Sequence, residues 1–253
     1  LGSGGASSSG GGAVKLTVAG VFACDGDIMA EGQPDVDQYS GSGGSIYITA
    51  ADLVGTGWID ADGGHYKGNG WAAGGGRIAI WLTEATDRGA FAGKVSAFGS
   101  LRRSAAGALG STPHTSPGTV FWHVKGDEPD GGYVLIDGLG ASCNTTSGYP
   151  SLDLRTELPP AGVGGDGKDE FKNTTFEVVR GGTLTLTDDV KIHDLVLGDG
   201  GRLRLDGHTL HIESRTHRNG KGWTGTTVVS SVDEDDPNGQ IVWAKWGLML
   251  FVR

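Results

Sequence analysis

Apolar and polar residues alternate along this chain in short runs that begin at glycine pairs. The runs "GGAVKLTV" (11–18), "GGSIYITA" (43–50) and "GGRIAIWL" (75–82) follow one another at a spacing of 32 residues, and "PGTVFWHV" (117–124) follows after 42. Because successive side chains of a strand point to opposite faces, each run predicts a β-strand with a few apolar residues on one face. The constant spacing predicts a repeated structural unit.

A second strand motif recurs in the same order between these runs. Its copies are "GDIMAEG" (26–32), "GWIDADG" (57–63) and "GKVSAFG" (93–99). After residue 170 the apolar positions recur at roughly 8–11 residues. The residues expected to face the core there are Leu184, Leu186, Ile192, Leu195, Leu197, Leu203, Leu205, Leu210 and Ile212. No apolar pattern of helical period extends over twelve residues.

Each predicted strand carries too few apolar residues to bury a core alone, so stability must come from stacking successive units. The pattern therefore predicts an all-β chain that forms one parallel β-helix, with coils of about 32 residues shortening to about 20. A β-sandwich, the alternative, would favour two-residue hairpins without a fixed period. We assign 13–240 to the β-helix, 1–12 to a Gly/Ser-rich linker or truncated start of a longer chain, and 241–253 to a C-terminal strand that caps the stack or docks a partner.

The segments "GGSIYITA", "GTGWIDADGG" and "GGGRIAIW" resemble the glycine-rich coils of large secreted bacterial β-solenoid proteins, within the right-handed parallel β-helix (pectin-lyase-like) class. The resemblance is clear over 11–140 and weaker over 171–214. It implies a right-handed coil and a secreted or cell-surface location. That class includes polysaccharide lyases, glycoside hydrolases and adhesins, so the resemblance does not determine the activity. The basic catalytic signature of the lyases, a Lys or Arg beside clustered aspartates, has no matching position here.

Composition narrows the possible partners. Glycine supplies 48 of 253 residues, which we interpret as a sign of many sharp corners. The net charge of −10 disfavours nucleic acid and anionic membranes as partners. No apolar stretch reaches the ~18 residues of a membrane helix. Cys24 and Cys143 are predicted to lie about three coils apart and to remain free thiols.

The repeat register places several aromatic residues on outward positions. Tyr47 and Phe121 fall in one column along the stack, and Trp81 and His123 fall in the next. Aromatic faces stack on sugar rings, and an exposed apolar area needs a physical reason. Two interpretations stay open: the insertion 99–117 folds back over these residues, or they form a binding face. Trp58 is a further candidate binding residue on the second strand.

The same alternation places Glu31, Asp60 and Asp62 outward on the second strand, with Glu31 and Asp62 on neighbouring rungs. Rungs lie about 4.8 Å apart, so these carboxylates would share a proton, recruit calcium or act as the acid and nucleophile of a retaining glycosidase. Alternatively, they are solvated surface acids.

A possible calcium site lies in "GGDGKDEFK" (164–172), which fits one copy of the Gly-Gly-x-Gly-x-Asp nonapeptide. Asp166 and Asp169 would be its ligands. That motif binds calcium between stacked copies, and no second copy adjoins this one. No other cofactor is expected.

Two functions are compatible with the sequence. The first is a secreted or cell-surface module that binds extracellular polysaccharide or a cell-surface glycan, or serves as an adhesin or structural scaffold. The second is a carbohydrate-active enzyme, a glycoside hydrolase or polysaccharide lyase, that uses the outward carboxylates.

Overall fold

The structure is a computed structural model that describes residues 1–5, 8–34, 39–67, 72–103, 109–113, 115–139, 155–159, 169–224, 229–230 and 239–244. These residues form an almost entirely β structure. The one short helix among them is a 3-10 turn, Arg218–Gly220. In the part of the chain so described, no helical segment has the length and hydrophobicity that a membrane crossing requires.

The strands are short, as the glycine-punctuated sequence predicts. In chain order they are β1 (Ala13–Thr17), β2 (Val21–Ala23), β3 (Asp27–Met29), β4 (Ser45–Ala50), β5 (Asp52–Val54), β6 (Trp58–Asp60), β7 (Tyr66–Lys67), β8 (Arg77–Leu82), β9 (Lys94–Ser96), β10 (Leu101–Arg103), β11 (Leu109–Pro113), β12 (Thr119–His123), β13 (Gly132–Asp137), β14 (Thr156–Leu158), β15 (Phe171–Val179), β16 (Thr183–Leu186), β17 (Val190–Leu197), β18 (Arg202–Arg204), β19 (Thr209–Ile212), β20 (Val229–Ser230) and β21 (Gln240–Trp243).

Nine strands form the main sheet, in the order β1-β4-β8-β12-β13-β15-β17-β19-β21. The predicted 32-residue register is confirmed at its start, where β1, β4 and β8 pair in parallel. Ile46 lies between Val14 and Ile78, and Tyr47 lies between Lys15 and Ala79. β12 pairs in parallel with β8 in the same register. The fourth copy of the motif is therefore the fourth rung.

The second strand motif also stacks as predicted. β3, β6 and β9 form a parallel sheet in which Ile28, Ile59 and Val95 share one column. β2 and β5 pair in parallel between the two motifs. In the second half, β14, β16, β18 and β20 form a parallel sheet, and the pairing of Leu184 with Leu203 has the predicted period of about 20 residues. The nine residues predicted to face the core after residue 170 are all buried.

Two pairings differ from the parallel prediction: β11 is antiparallel to β10 in a small separate sheet, and β13 is antiparallel to β12 in the main sheet. The main sheet is therefore mixed. β13 in turn pairs in parallel with β15. The strands of the main sheet from β13 onward therefore run opposite to β1, β4, β8 and β12. The turn over 124–131 reverses the chain here, and its backbone is held where the Val124 N–H donates to the Asp127 carboxylate at 2.8 Å.

The core changes sides at β13. We call the face of the main sheet that carries Ile78 and Val120 face A, and the opposite face, which carries Phe121, face B. The first core lies on face A and contains Ile46, Ile48, Ile59, Ile78, Ile80 and Val120 among its buried residues. The second core lies on face B and begins with Ile136, whose partner Val178 and the next residue of that column, Leu197, are buried there.

Two glycines of the repeat, Gly43 and Gly76, serve close packing between rungs. Neither Gly43 nor Gly76 has a left-handed φ. A Cβ on Gly43 would overlap the carbonyl oxygen of Ala61, and a Cβ on Gly76 would overlap that of Gly44. The Gly76 N–H donates to Ala61 at 2.7 Å, so backbone lies directly against backbone. Among the glycines of residues 43–64, Gly55 alone has a left-handed φ, at 109°.

Candidate functional site

The aromatic residues predicted to face outward do come together. Trp81 lies 5.5 Å from Phe121 and is stacked on His123 at 4.3 Å, measured between ring centroids. We call Tyr47, Trp81, Phe121 and His123 the aromatic strip. Its members share face B because β4, β8 and β12 are in register.

The two ends of the aromatic strip differ. At one end Tyr47 is 38% exposed, and the Lys15 ammonium lies 5.6 Å from the centre of its ring. At the other end the His123 ring is fixed by a hydrogen bond between Nδ1 and the Gly131 carbonyl oxygen at 3.1 Å. The Asp127 carboxylate lies 4.0 Å from the same nitrogen. The strip thus has an open aromatic end and an end that is held by the reversing turn.

The described strands of the 99–117 insertion pair away from this strip. β10 pairs in parallel with β7 and antiparallel with β11, which makes a small separate sheet. Near the insertion's start, Ser100 bonds to Ser40 and Ala73 rather than to face B. The described strands of the insertion therefore do not pair over the strip, and a binding face stays a prediction.

Trp58 lies on β6, in the second-motif sheet, and does not join the strip. Its indole N–H donates to the Ser96 hydroxyl at 3.0 Å, and the Lys94 ammonium lies 5.8 Å from its ring centre. The indole is therefore anchored by its own neighbours, and a role for Trp58 in glycan binding remains a prediction.

The outward placement of Asp60 and Asp62 is wrong. Asp60 is 1% exposed and Asp62 is 6% exposed, although strand alternation puts them opposite the inward Ile59. The Asp60 carboxylate accepts the Asp62 N–H at 2.7 Å, and the Asp62 carboxylate accepts the Phe98 N–H at 2.5 Å. Asp60 therefore braces the backbone of its own rung, and Asp62 braces the backbone of the next rung.

The environment of these two acids favours their neutral forms. Burial, followed by the nearby Asp60 carboxylate, raises the pKa of Asp62 to about 8. Burial also raises the pKa of Asp60, although the Asp62 N–H opposes that shift. Two neighbouring acids in a dry site cannot both ionise cheaply, so the pair retains a proton at neutral pH.

The Glu31 carboxylate contacts a different residue from those that Asp60 and Asp62 contact. The Gly32 N–H donates to the Asp62 carbonyl oxygen at 3.0 Å, so Glu31 and Asp62 are rung neighbours as predicted. The Glu31 carboxylate lies 3.7 Å from Nε2 of His65. Since Asp62 is buried and Glu31 is partly exposed, the two do not form an exposed acid pair.

The predicted calcium ligands are placed only in part. Asp166 lies outside the described residues. Asp169 is exposed and pairs with the Lys191 ammonium at 2.8 Å, and that hydrogen bond lowers the pKa of Asp169. Among the residues that the structure describes, no group of three or more metal-ligating side chains converges on one point. Calcium binding here stays a prediction.

Sequence analysis missed a second group of polar and aromatic residues. The Arg88 guanidinium lies 3.5 Å from the centre of the Tyr133 ring, at a cavity that Asp127 also lines. Cys24 is a buried free thiol, as predicted, and Cys143 lies outside the described residues. Spacing gives no signal for the Arg88 group, because the antiparallel β13 brings its members together.

Comparison with known proteins adds no relative. No protein-family model, curated protein or solved structure matches this chain. The candidate function therefore rests on the geometry of the strip and of the sheets that carry it.

Proposed function

We propose that this chain is a right-handed parallel β-helix that serves as a secreted or cell-surface module binding extracellular polysaccharide, as an adhesin or scaffold does. The in-register parallel stacking of the three strand columns in the first half supports the coil. Each return from one rung to the next is a crossover between parallel strands, and such crossovers are right-handed in nearly all proteins.

The antiparallel β13 is compatible with a continuous β-helix. At β13 the chain reverses its direction along the main sheet, and the core moves from face A to face B. Reversing both the strand direction and the side of the coil axis leaves the sense of winding unchanged. A right-handed coil before β13 therefore continues as a right-handed coil after it, with its axis on the other side of the sheet.

The observation that carries the binding proposal is the aromatic strip. Tyr47 and Phe121 lie two rungs apart, about 9.6 Å at the usual strand spacing, with the small Ala79 between them. The spacing between neighbouring rungs is comparable to the length of a pyranose ring, so successive sugar rings can pack against the aromatic strip. Stacking on aromatic faces suits the C–H faces of sugars, and outward threonines on the same rungs offer hydrogen bonds.

Binding without cleavage fits the buried acids. A catalytic acid must contact its substrate, and Asp60 and Asp62 are almost fully enclosed. Their carboxylates are also engaged with backbone N–H groups. The alternative function, a carbohydrate-active enzyme, therefore has no accessible carboxylate pair among the predicted catalytic residues Glu31, Asp60 and Asp62.

Affinity electrophoresis combined with a reducing-sugar assay tests this proposal. We expect the protein to be retarded in gels containing a neutral polysaccharide, and to release no reducing ends from it over a long incubation. Unretarded migration across a broad panel of plant, algal and bacterial polysaccharides would refute the binding function. Release of reducing ends would establish the enzyme instead.

A further inference from the structure

A cavity of about 740 Å³ lies where the first core ends, between the 86–89 segment and β13. Its volume falls in the range of ligand pockets in proteins. Its walls combine aromatic, charged and hydroxyl-bearing side chains, which include Trp122, Tyr133, Arg88, Asp127, Thr86 and Thr175. Neither the aromatic strip nor the buried acid pair uses this cavity.

Arg88 is the central polar group. Its guanidinium carbon lies over the Tyr133 ring, 3.5 Å from the centre, in a cation–π contact. Burial lowers the pKa of Arg88, while the nearby Glu177 and Asp127 carboxylates oppose that shift. The guanidinium remains charged, and its contact with the ring restrains its position before any ligand arrives.

The charges around Arg88 exclude an anionic ligand. Asp87 and Asp127 line the cavity and Glu177 lies close by, so three acids accompany one cation. A uronate or sulfate group would meet these acids with a like charge. A neutral polyol suits the cavity, because its hydroxyl groups donate to carboxylates and accept from a guanidinium.

The cavity adjoins the aromatic strip through one residue. Asp127 lines the cavity and lies 4.0 Å from Nδ1 of His123, at the end of the strip. On the neighbouring position of β12, Trp122 lines the cavity from face A while His123 belongs to face B. The cavity and the strip therefore lie on opposite faces of the sheet, and Asp127 touches both at the end of β12.

We propose that this cavity binds one or two neutral hexopyranose units. Arg88 and Asp127 bind the sugar hydroxyls, and Trp122 and Val124 contact the C–H face of the ring. This inference rests on the proposed function, since it names the sugar class that the same module selects.

Isothermal titration calorimetry with cellobiose, mannobiose, galactobiose and digalacturonate tests the cavity. We expect a neutral disaccharide to bind and digalacturonate not to bind. Arg88→Met should weaken that binding by about tenfold or more, because it removes charge-assisted hydrogen bonds. Lys125→Met is the matched control, since Lys125 carries the same charge on the neighbouring turn but is exposed and paired with Glu84 outside the cavity.

The outcomes separate the cavity from the strip. Trp81→Ala should abolish retardation by the polymer, because it breaks the strip at its centre. If no neutral disaccharide binds while Trp81→Ala still loses retardation, the cavity proposal is wrong and the strip stands. If Arg88→Met loses disaccharide binding while Trp81→Ala keeps full retardation, the cavity stands and the strip is wrong. Thr175→Val, a near-isosteric change in the cavity wall, should also weaken disaccharide binding, and it replaces Arg88→Met if that variant fails to fold.

Discussion

At the scale of single residues, the acid pair shows where sequence reasoning stops. Strand alternation correctly placed Ile59 in the core and put Asp60 and Asp62 on the opposite side. Alternation assigns a side of the strand, but it does not tell whether other parts of the chain cover that side. The burial of both acids comes from such covering, so the chemistry of the pair could not be predicted.

The raised pKa of Asp62 leads to a pH dependence of stability. Its folded pKa, about 8, lies above the ordinary value of 3.8, so between these values the folded state holds a proton that the unfolded state releases. The free energy of unfolding should therefore fall as pH rises from about 4 to about 8. We expect the melting temperature to drop over this range by at least about 2–4 °C, the shift that about 1 kcal/mol produces in a chain of this size.

Asp62→Asn isolates this effect. Its amide oxygen can still accept the Phe98 N–H, and its amide nitrogen can donate to Asp60, but it does not titrate. The melting temperature measured by circular dichroism should fall less with pH in this variant than in the wild type. Parallel pH profiles for the two proteins would contradict the assignment.

At the scale of elements, the repeat spacing predicted the strands and their register, but not why glycine recurs. The conformational freedom of glycine predicted corners, and Gly55, Gly181 and Gly207 do have left-handed φ values. Gly43 and Gly76 instead use the missing side chain for contact between backbones. That contact depends on the distance between rungs, which local sequence does not reveal.

The close packing of the glycine columns can be measured directly. Gly76→Ala places a Cβ against the Gly44 carbonyl and should cost about 3 kcal/mol in the free energy of unfolding. Gly12→Ala is the control at the equivalent position of the first rung, where a Cβ meets nothing within 4 Å. It should change stability by no more than about 0.5 kcal/mol. Equal costs in urea unfolding would exclude backbone packing as the reason for the repeat.

The change of core side at β13 gives a second prediction at this scale. Ile78 and Val196 lie on the same face of the main sheet, yet Ile78 is buried and Val196 is half-buried. Ile78→Thr should cost about 2–4 kcal/mol, because it removes buried apolar atoms and buries a hydroxyl. Val196→Thr should cost less than about 1 kcal/mol. If both substitutions destabilise equally in urea unfolding, the core does not change sides.

At the scale of the whole molecule, one continuous sheet carries two cores on opposite faces. This arrangement leaves face B outward in the first half, where the aromatic strip lies, and ends the first core inside the molecule, where the cavity lies. The repeat predicted the strip, because the strip follows from register alone. The repeat did not predict the cavity. The amino-acid sequence of β13 is compatible with a parallel or an antiparallel strand, and only the turn over 124–131 determines the direction of β13.

The central claim is that the strip on face B binds polysaccharide, and the retardation of Trp81→Ala in an affinity gel tests it most directly. Trp81 contacts both Phe121 and His123, so its loss breaks the strip at its centre. Met29→Ala is the matched control, because Met29 is 49% exposed and apolar but belongs to the β3-β6-β9 sheet. We expect Trp81→Ala to migrate as in a gel without polysaccharide, whereas Met29→Ala is retarded like the wild type. Retardation of Trp81→Ala equal to that of the wild type would contradict it.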